Sequence, residues 1–362
     1  MKIIGLFPFV GNGGIASWTK KFVKTFPDEE HQFVFVNVSP NVMRMGWLNE
    51  TFFARLVSGI WALFRIKRDL KKVLHNDNYD ILHTTTSGDI GAYRDYCVAK
   101  LCEKYGVKTI MHCRYGSITE NINSKGLIGV LLRKSMEVFE QIWVLDSRSY
   151  NTLKGFDKLK DKVFLVPNSI DVTQEEDNTP KDYKRVAFIG NLVPTKGLFE
   201  LVEACSKIDV CLDIIGPGAD GVINRIKQIA GDKIDKTIFV HGRLPNPQAV
   251  EFMKSVDIVA LPTYYPSEAF PISIIEAMSL SKMVISCPRA AIEDMLTDME
   301  GKPCGILVSP RSAEEIAKAI QWCQNNKEEA DIMCQKAYKK VSTCYRKEVV
   351  YDLYRSLYKK LV

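Results

Sequence analysis

Short runs of consecutive apolar, β-favouring residues alternate with amphipathic helical patterns along the whole chain, and this rhythm limits the fold more than any other feature. Strands are predicted over 2–9, 32–37, 81–84, 109–112, 141–144 and 163–166, with helices over 16–25, 51–74, 93–105 and 128–139 between them. A strand that is apolar throughout must be covered on both faces, which points to a parallel sheet sandwiched between helices. Right-handed crossovers then give a doubly wound α/β domain, and such domains take their ligands at the carboxyl ends of the strands.

The rhythm breaks around Val166-Pro167-Asn168-Ser169-Ile170-Asp171. A polar, acidic stretch follows at 173–182, and a new strand is predicted at 185–190. The second series has strands over 210–215, 237–240, 258–261, 283–286 and 305–308, with helices over 198–206, 221–230, 247–255, 272–281 and 313–325, and helices over 328–343 and 347–361 close the chain. A single core rarely grows beyond about 250–300 residues, and this chain has 362. The reading is therefore two Rossmann-like domains, 1–168 and 169–345, and a final helix, 346–362, crossing back to the first.

Charge and cysteine usage narrow the function classes. The net charge is +6, and residues 1–75 alone carry 11 Lys/Arg against 5 Asp/Glu. The surplus sits in one part of the N-terminal half, which suits an anionic partner there. No reader motif for nucleic acid accompanies it. The 10 cysteines include no C-x-x-C pair and the five histidines show no metal-ligand spacing, so a reducing, cytoplasmic setting and no metal are expected. No apolar run reaches the roughly 18–20 residues that span a bilayer. The N-terminal run Met1-Lys2-Ile3-Ile4-Gly5-Leu6 lacks a cleavage site and reads as a buried first strand.

Two loops carry the chemistry. Gly190-Asn191-Leu192-Val193-Pro194-Thr195-Lys196-Gly197 joins a strand to a helix, where backbone amides and the helix start can face an anion and Lys196 can add a full charge to a leaving diphosphate. Some 70 residues later, Pro266-Ser267-Glu268-Ala269-Phe270-Pro271-Ile272-Ser273-Ile274-Ile275-Glu276 sets one carboxylate before a helix and one inside it. Pro271 suits the first turn of that helix.

In this order and spacing the two loops resemble the donor-binding half of the retaining glycosyltransferases of family 4, or group 1, with the GT-B fold: two Rossmann-like domains facing each other across a cleft. The resemblance covers residues 185–325 well and the first domain loosely. It implies that Lys196 holds the nucleotide diphosphate, that Glu276 accepts from the ribose hydroxyls, and that Glu268, with the amides of Ala269 and Phe270, contacts donor sugar and diphosphate. The family has Arg where this chain has Asn191 and Gly where it has Ala269; Arg243 is a candidate substitute for the missing cation. Gly216, in Ile214-Ile215-Gly216-Pro217-Gly218, matches a second strand-end turn near the nucleotide. In the first domain, Gly13 and Gly14 match the Gly-Gly loop over the donor phosphates, and His112 matches a histidine near the donor sugar. Glu268, His112 and Lys196 are the catalytic candidates. Arg114, with Ser117, is a candidate on the acceptor side.

The implied reaction is retaining transfer of a sugar from a UDP- or GDP-linked donor to a saccharide or lipid-linked saccharide, as in bacterial surface-polysaccharide assembly. The chain contains no Asp-x-Asp triplet, so metal-independent catalysis without a cofactor is expected. The stretch from Trp47 to Leu74 mixes aromatic residues with Arg65, Lys67, Arg68, Lys71 and Lys72. Such a segment can lie on an anionic bilayer, here the inner face of the plasma membrane. It can equally be a domain helix with a solvated basic end. A nucleotide-sugar epimerase of the same fold and a non-catalytic membrane-associated scaffold remain the alternatives. A glycosidase using Glu268 and Glu276 is disfavoured, because its carboxylates must flank a glycosidic bond from opposite sides.

Overall fold

The structure, a computed structural model, describes residues 1–11, 14–39, 52–86, 88, 91–172, 175–177 and 179–362, with 52–58 described by their backbone alone. It divides into two compact units, Met1–Val166 with Tyr351–Val362, and Pro167–Val350.

The first unit contains β1 (Lys2–Phe7), α1 (Gly14–Thr25), β2 (Gln32–Asn37), α2 (Phe52–Asn76), β3 (Ile81–Thr86), α3 (Gly91–Glu103), β4 (Lys108–Cys113), α4 (Ile118–Asn123), α5 (Leu127–Val138), β5 (Gln141–Val144), α6 (Ser147–Lys154) and β6 (Val163–Leu165). The strands form one parallel sheet in the order β2-β1-β3-β4-β5-β6. The strand order reverses beside β1, so the crevice between the ends of β1 and β3 is the switch point where such sheets bind ligands. On one face, Ile66, Leu70 and Leu74 of α2 pack with Val98, Leu101 and Cys102 of α3, whose Ala92 and Ala99 in turn share a core with Leu132 and Met136 of α5. α2, α3 and α5 thus form one helical layer.

The second unit contains β7 (Arg185–Ile189), a 3₁₀ turn (Pro194–Lys196), α7 (Leu198–Ser206), β8 (Cys211–Ile215), α8 (Asp220–Ala230), β9 (Ile238–Gly242), α9 (Asn246–Lys254), β10 (Ile258–Leu261), α10 (Ile272–Ser279), β11 (Met283–Ser286), α11 (Ile292–Met295), β12 (Ile306–Leu307), α12 (Ala313–Asn325) and α13 (Lys327–Lys340), which runs on into a π-helical turn, Val341–Tyr345. Its parallel sheet has the order β12-β11-β10-β7-β8-β9. Here the order reverses at β7, and the switch point lies between the ends of β7 and β10.

The last helix, α14 (Lys347–Lys359), begins in the second unit, and from Tyr351 onward it belongs to the first. There Tyr354 and Tyr358 are fully buried against Trp143, at 4.9 and 5.4 Å between ring centres. The Gln141 side chain donates to the Leu357 carbonyl. Burying each tyrosine removes an aromatic ring from water, an effect of about 2 kcal/mol each. All 10 cysteines are free thiols, seven of them buried. Burial pushes the Cys102, Cys287 and Cys323 thiols up to about 12, so they stay protonated and unreactive.

Candidate functional site

The second unit's site grows out of its strand ends. The chain leaving β7 pairs with the chain leaving β8 beyond the strands themselves: Gly190 N donates to Ile215 O and Leu192 N to Pro217 O, while Gly216 N donates to Gly242 O after β9. Three loops are strapped into one shelf. Gly216 is required there because a Cβ would strike the Gly190 carbonyl. Its amide is engaged by Gly242, so Gly216 shapes the shelf through its backbone. After the 3₁₀ turn, Gly197 takes a left-handed φ of 73° and starts α7. A methyl at this position would collide with the Pro262 carbonyl at the end of β10. The β7 and β10 loops are thereby pressed together.

Across this contact Lys196 Nζ meets Glu268 Oε2 at 3.0 Å, with the two side chains only 16% and 12% exposed. The expected cation and the expected carboxylate come from different loops and close over the switch point. The β10 loop is held from behind. Asn168 Nδ2 donates to Phe270 O at 3.0 Å, Ala291 N donates to Ala269 O at 3.0 Å, and Arg289 donates to the Pro266 carbonyl. The Phe270 ring is buried edge-on against Tyr345, 5.1 Å between centres. Phe270 can therefore offer a ligand its backbone but not its ring. Pro271 stands as the residue capping α10, one position ahead of the expected first turn.

Glu276 is the fifth residue of α10, half-buried, and accepts from Asn246 Nδ2 at 2.9 Å. Asn246 opens α9 and was not singled out by the sequence. Its partner lies 30 residues away, and only the neighbouring positions of α9 and α10 bring them together. Arg243 follows β9 directly and is exposed, as is Asn191 at the start of the β7 loop. A hollow of about 420 Å³ lined by Arg185, Cys211, Phe239 and Asp257 lies at the amino ends of β7 and β8, the edge opposite these loops, and has no part in the site.

In the first unit, Gly14 is the exposed first residue of α1, whereas Gly13 lies outside the described residues. His112 lies near the end of β4 inside the unit's aromatic cluster. It is fully buried, with Nδ1 3.3 Å from His83 Nε2 and Nε2 3.1 Å from Arg114 Nη1. His83 continues the chain to the Tyr358 hydroxyl at 2.6 Å. Both ring nitrogens of His112 are occupied, and it faces the core. Arg114 is likewise buried, its guanidinium 4.1 Å from the Trp18 ring centre. Its guanidinium also interacts with Tyr354. Burial pushes His83 down to about 3, helped by the Arg114 charge, and His112 falls well below its ordinary value for the same two reasons. Both rings are neutral at neutral pH.

The basic segment is a domain helix over its second half, where Ile66, Leu70 and Leu74 are buried. Arg65 donates to the Ser39 carbonyl, Arg68 pairs with Asp69, Lys67 is half-buried, and Lys71 and Lys72 are exposed on the flank. Among the described residues, no helix is long and apolar enough to cross a membrane.

Residues 169–340 match the family of glycosyl transferases group 1. The C-terminal unit is a group 1 glycosyltransferase domain. A Bacillus subtilis protein named as a teichuronic acid biosynthesis glycosyltransferase, TuaC, is 30% identical over 141 residues, 39% of this chain and 33% of that protein's length. In fold, the chain is similar to sucrose-phosphate synthase from Thermosynechococcus elongatus, with a TM-score of 0.77, 14% identity and 99% and 98% of the two chains covered. It is also similar to HepE of Anabaena in complex with UDP-glucose, at 0.72, 14%, 99% and 100%. The two six-stranded parallel sheets with flanking helices are the GT-B glycosyltransferase fold.

Proposed function

We propose that this group 1 glycosyltransferase transfers a sugar, with retention of anomeric configuration and without a bound metal, from a UDP- or GDP-linked donor to a saccharide or lipid-linked saccharide. The observation that carries the reading is the Lys196–Glu268 pair at the switch point of the second sheet. A diphosphate at this shelf meets the Lys196 ammonium, the amides of Ala269 and Phe270 and the start of α10. Glu268, repelled by phosphate, serves the sugar hydroxyls. Glu276, oriented by Asn246, accepts from the ribose. That HepE is described with UDP-glucose bound supports a nucleotide sugar for the same fold.

In the transfer, the bond from the anomeric carbon to the diphosphate oxygen breaks as a bond to the acceptor oxygen forms on the same face. The acceptor's proton passes to the departing phosphate oxygen. Lys196 stabilises the charge that develops there, and positioning accounts for most of the rest. His112, closed in the core, takes no direct part. The first unit receives the acceptor, with an anionic membrane surface at the inner face of the plasma membrane as its setting.

A thermal-shift panel of UDP- and GDP-sugars in EDTA identifies the donor, and proton NMR of the product on soluble glycosides reads its anomeric configuration. Retention of the donor's configuration is expected. An inverted product would overturn the mechanism, and nucleotide released with an isomerised free sugar in place of a glycoside would make the protein an epimerase.

A further inference from the structure

The helical layer α2-α3-α5 carries apolar side chains that the first unit's core does not use. Each of these helices runs from the carboxyl edge of the sheet back toward the start of the next strand. In α2, Arg65 donates to the carbonyl of Ser39, two residues beyond the end of β2. Arg65 therefore marks the carboxyl edge of the sheet, and the helix from Phe52 to that point projects past it by about 20 Å at 1.5 Å per residue. On this projecting part Trp61 is 70% exposed and Phe64 68%. In the first turn of α3 Tyr93 is 50% exposed, and α5 opens with Leu127, 74% exposed, followed by exposed Ile128 and Val130. With neighbouring helices about 10 Å apart, these side chains form a row about 20 Å long.

Among the described residues, basic side chains border the row. None of the three helices has an acidic residue in its first turn, although acids are favoured at helix starts. Lys125 is exposed just ahead of α5, Lys134 is exposed on it, and Arg65 and Lys67 follow the aromatic pair on α2. A row of Trp, Tyr and Phe beside Leu and Ile, edged by lysine and arginine, matches the boundary between anionic headgroups and acyl chains.

We propose that Trp61, Phe64, Tyr93, Leu127, Ile128 and Val130 form a single membrane-docking rim, which seats the carboxyl edge of the first sheet on an anionic bilayer. This rests on the reading of a lipid-linked acceptor and sharpens it. The bilayer meets the row that these side chains form, and α2 does not lie flat along its basic flank. Lys71 stands ten residues, about 15 Å of helix, from Trp61, beyond a Debye length at physiological salt.

The test is co-sedimentation of the full chain with vesicles of phosphatidylcholine and phosphatidylglycerol at physiological salt. Trp61→Ser/Phe64→Ser and Leu127→Ser/Ile128→Ser are each expected to weaken binding at least tenfold, and Lys71→Glu/Lys72→Glu by less than threefold. Circular dichroism and donor thermal shift check that every variant is folded. Unchanged binding in Leu127→Ser/Ile128→Ser overturns the rim. So does a larger loss in Lys71→Glu/Lys72→Glu, which would restore the flat helix. A dimer in light scattering that Leu127→Ser/Ile128→Ser dissolves would assign the row to a second copy of the chain and also overturn the proposal. Transfer to a soluble glycoside is measured in parallel. Wild-type protein that transfers sugar but binds no vesicle sinks the rim and leaves the transferase reading standing.

Discussion

Gly197 holds the donor shelf together by having no side chain. Its left-handed φ and its contact with the Pro262 carbonyl exclude every other residue. Gly197→Ala is expected to lower the second unit's unfolding free energy by about 2–4 kcal/mol and to abolish donor binding, measured by denaturant titration and thermal shift. If Glu276 accepts from the ribose as proposed, Glu276→Ala should weaken donor binding roughly 10–100-fold, the range for hydrogen bonds to a charged group. Asn246→Ala, which only loses the orientation of Glu276, should cost less than tenfold in calorimetry. Lys196, Glu268 and Glu276 were legible in the sequence because each sits in a continuous loop-and-helix pattern with its chemistry beside it. Asn246 and Asn168 were not, since their partners are 30 and 102 residues away. The enclosure of His112 was illegible for the same reason: Trp18, His83 and Tyr354 come from three distant elements to surround it.

At the scale of elements, α14 and the His83–His112 pair act as one piece of the first unit. The tyrosines of α14 cover the histidines, which can be buried only as neutral rings. Folded-state values depressed below the ordinary 6.5 mean that the unfolded chain takes up protons that the native unit refuses. The stability is fully present above about pH 6.5 and is lost as pH falls toward the depressed values, by up to about 1.4 kcal/mol per pH unit for each ring. Acid unfolding followed by near-ultraviolet circular dichroism should therefore begin below pH 6.5, and His83→Gln should flatten that limb. The strand–helix rhythm made most elements readable, often to within two residues, because continuous apolar runs need covering on both sides. The short helices α4, α6 and α11 escaped, being too brief to show a period. The π-helical turn Val341–Tyr345 was read as an extension of the helix before it, and nothing local in Val-Ser-Thr-Cys-Tyr marks it.

At the scale of the molecule, two doubly wound units each offer a switch point, and the second has its cation and carboxylate already closed across it. In the proposed reaction Lys196 and the β10 loop supply the positive field that a metal supplies elsewhere, so donor binding and turnover should be unchanged by EDTA and by added Mg²⁺ or Mn²⁺. The departures at Asn191 and Ala269 bear on how strong that field is. The most direct test is isothermal titration of the best-bound UDP- or GDP-sugar, in EDTA, into the wild-type chain and Lys196→Ala. The expected result is measurable binding by the wild type and a loss of about 10–100-fold in the variant, the effect of removing a charged partner from a diphosphate. Equal affinity in the two proteins would contradict the donor site described above.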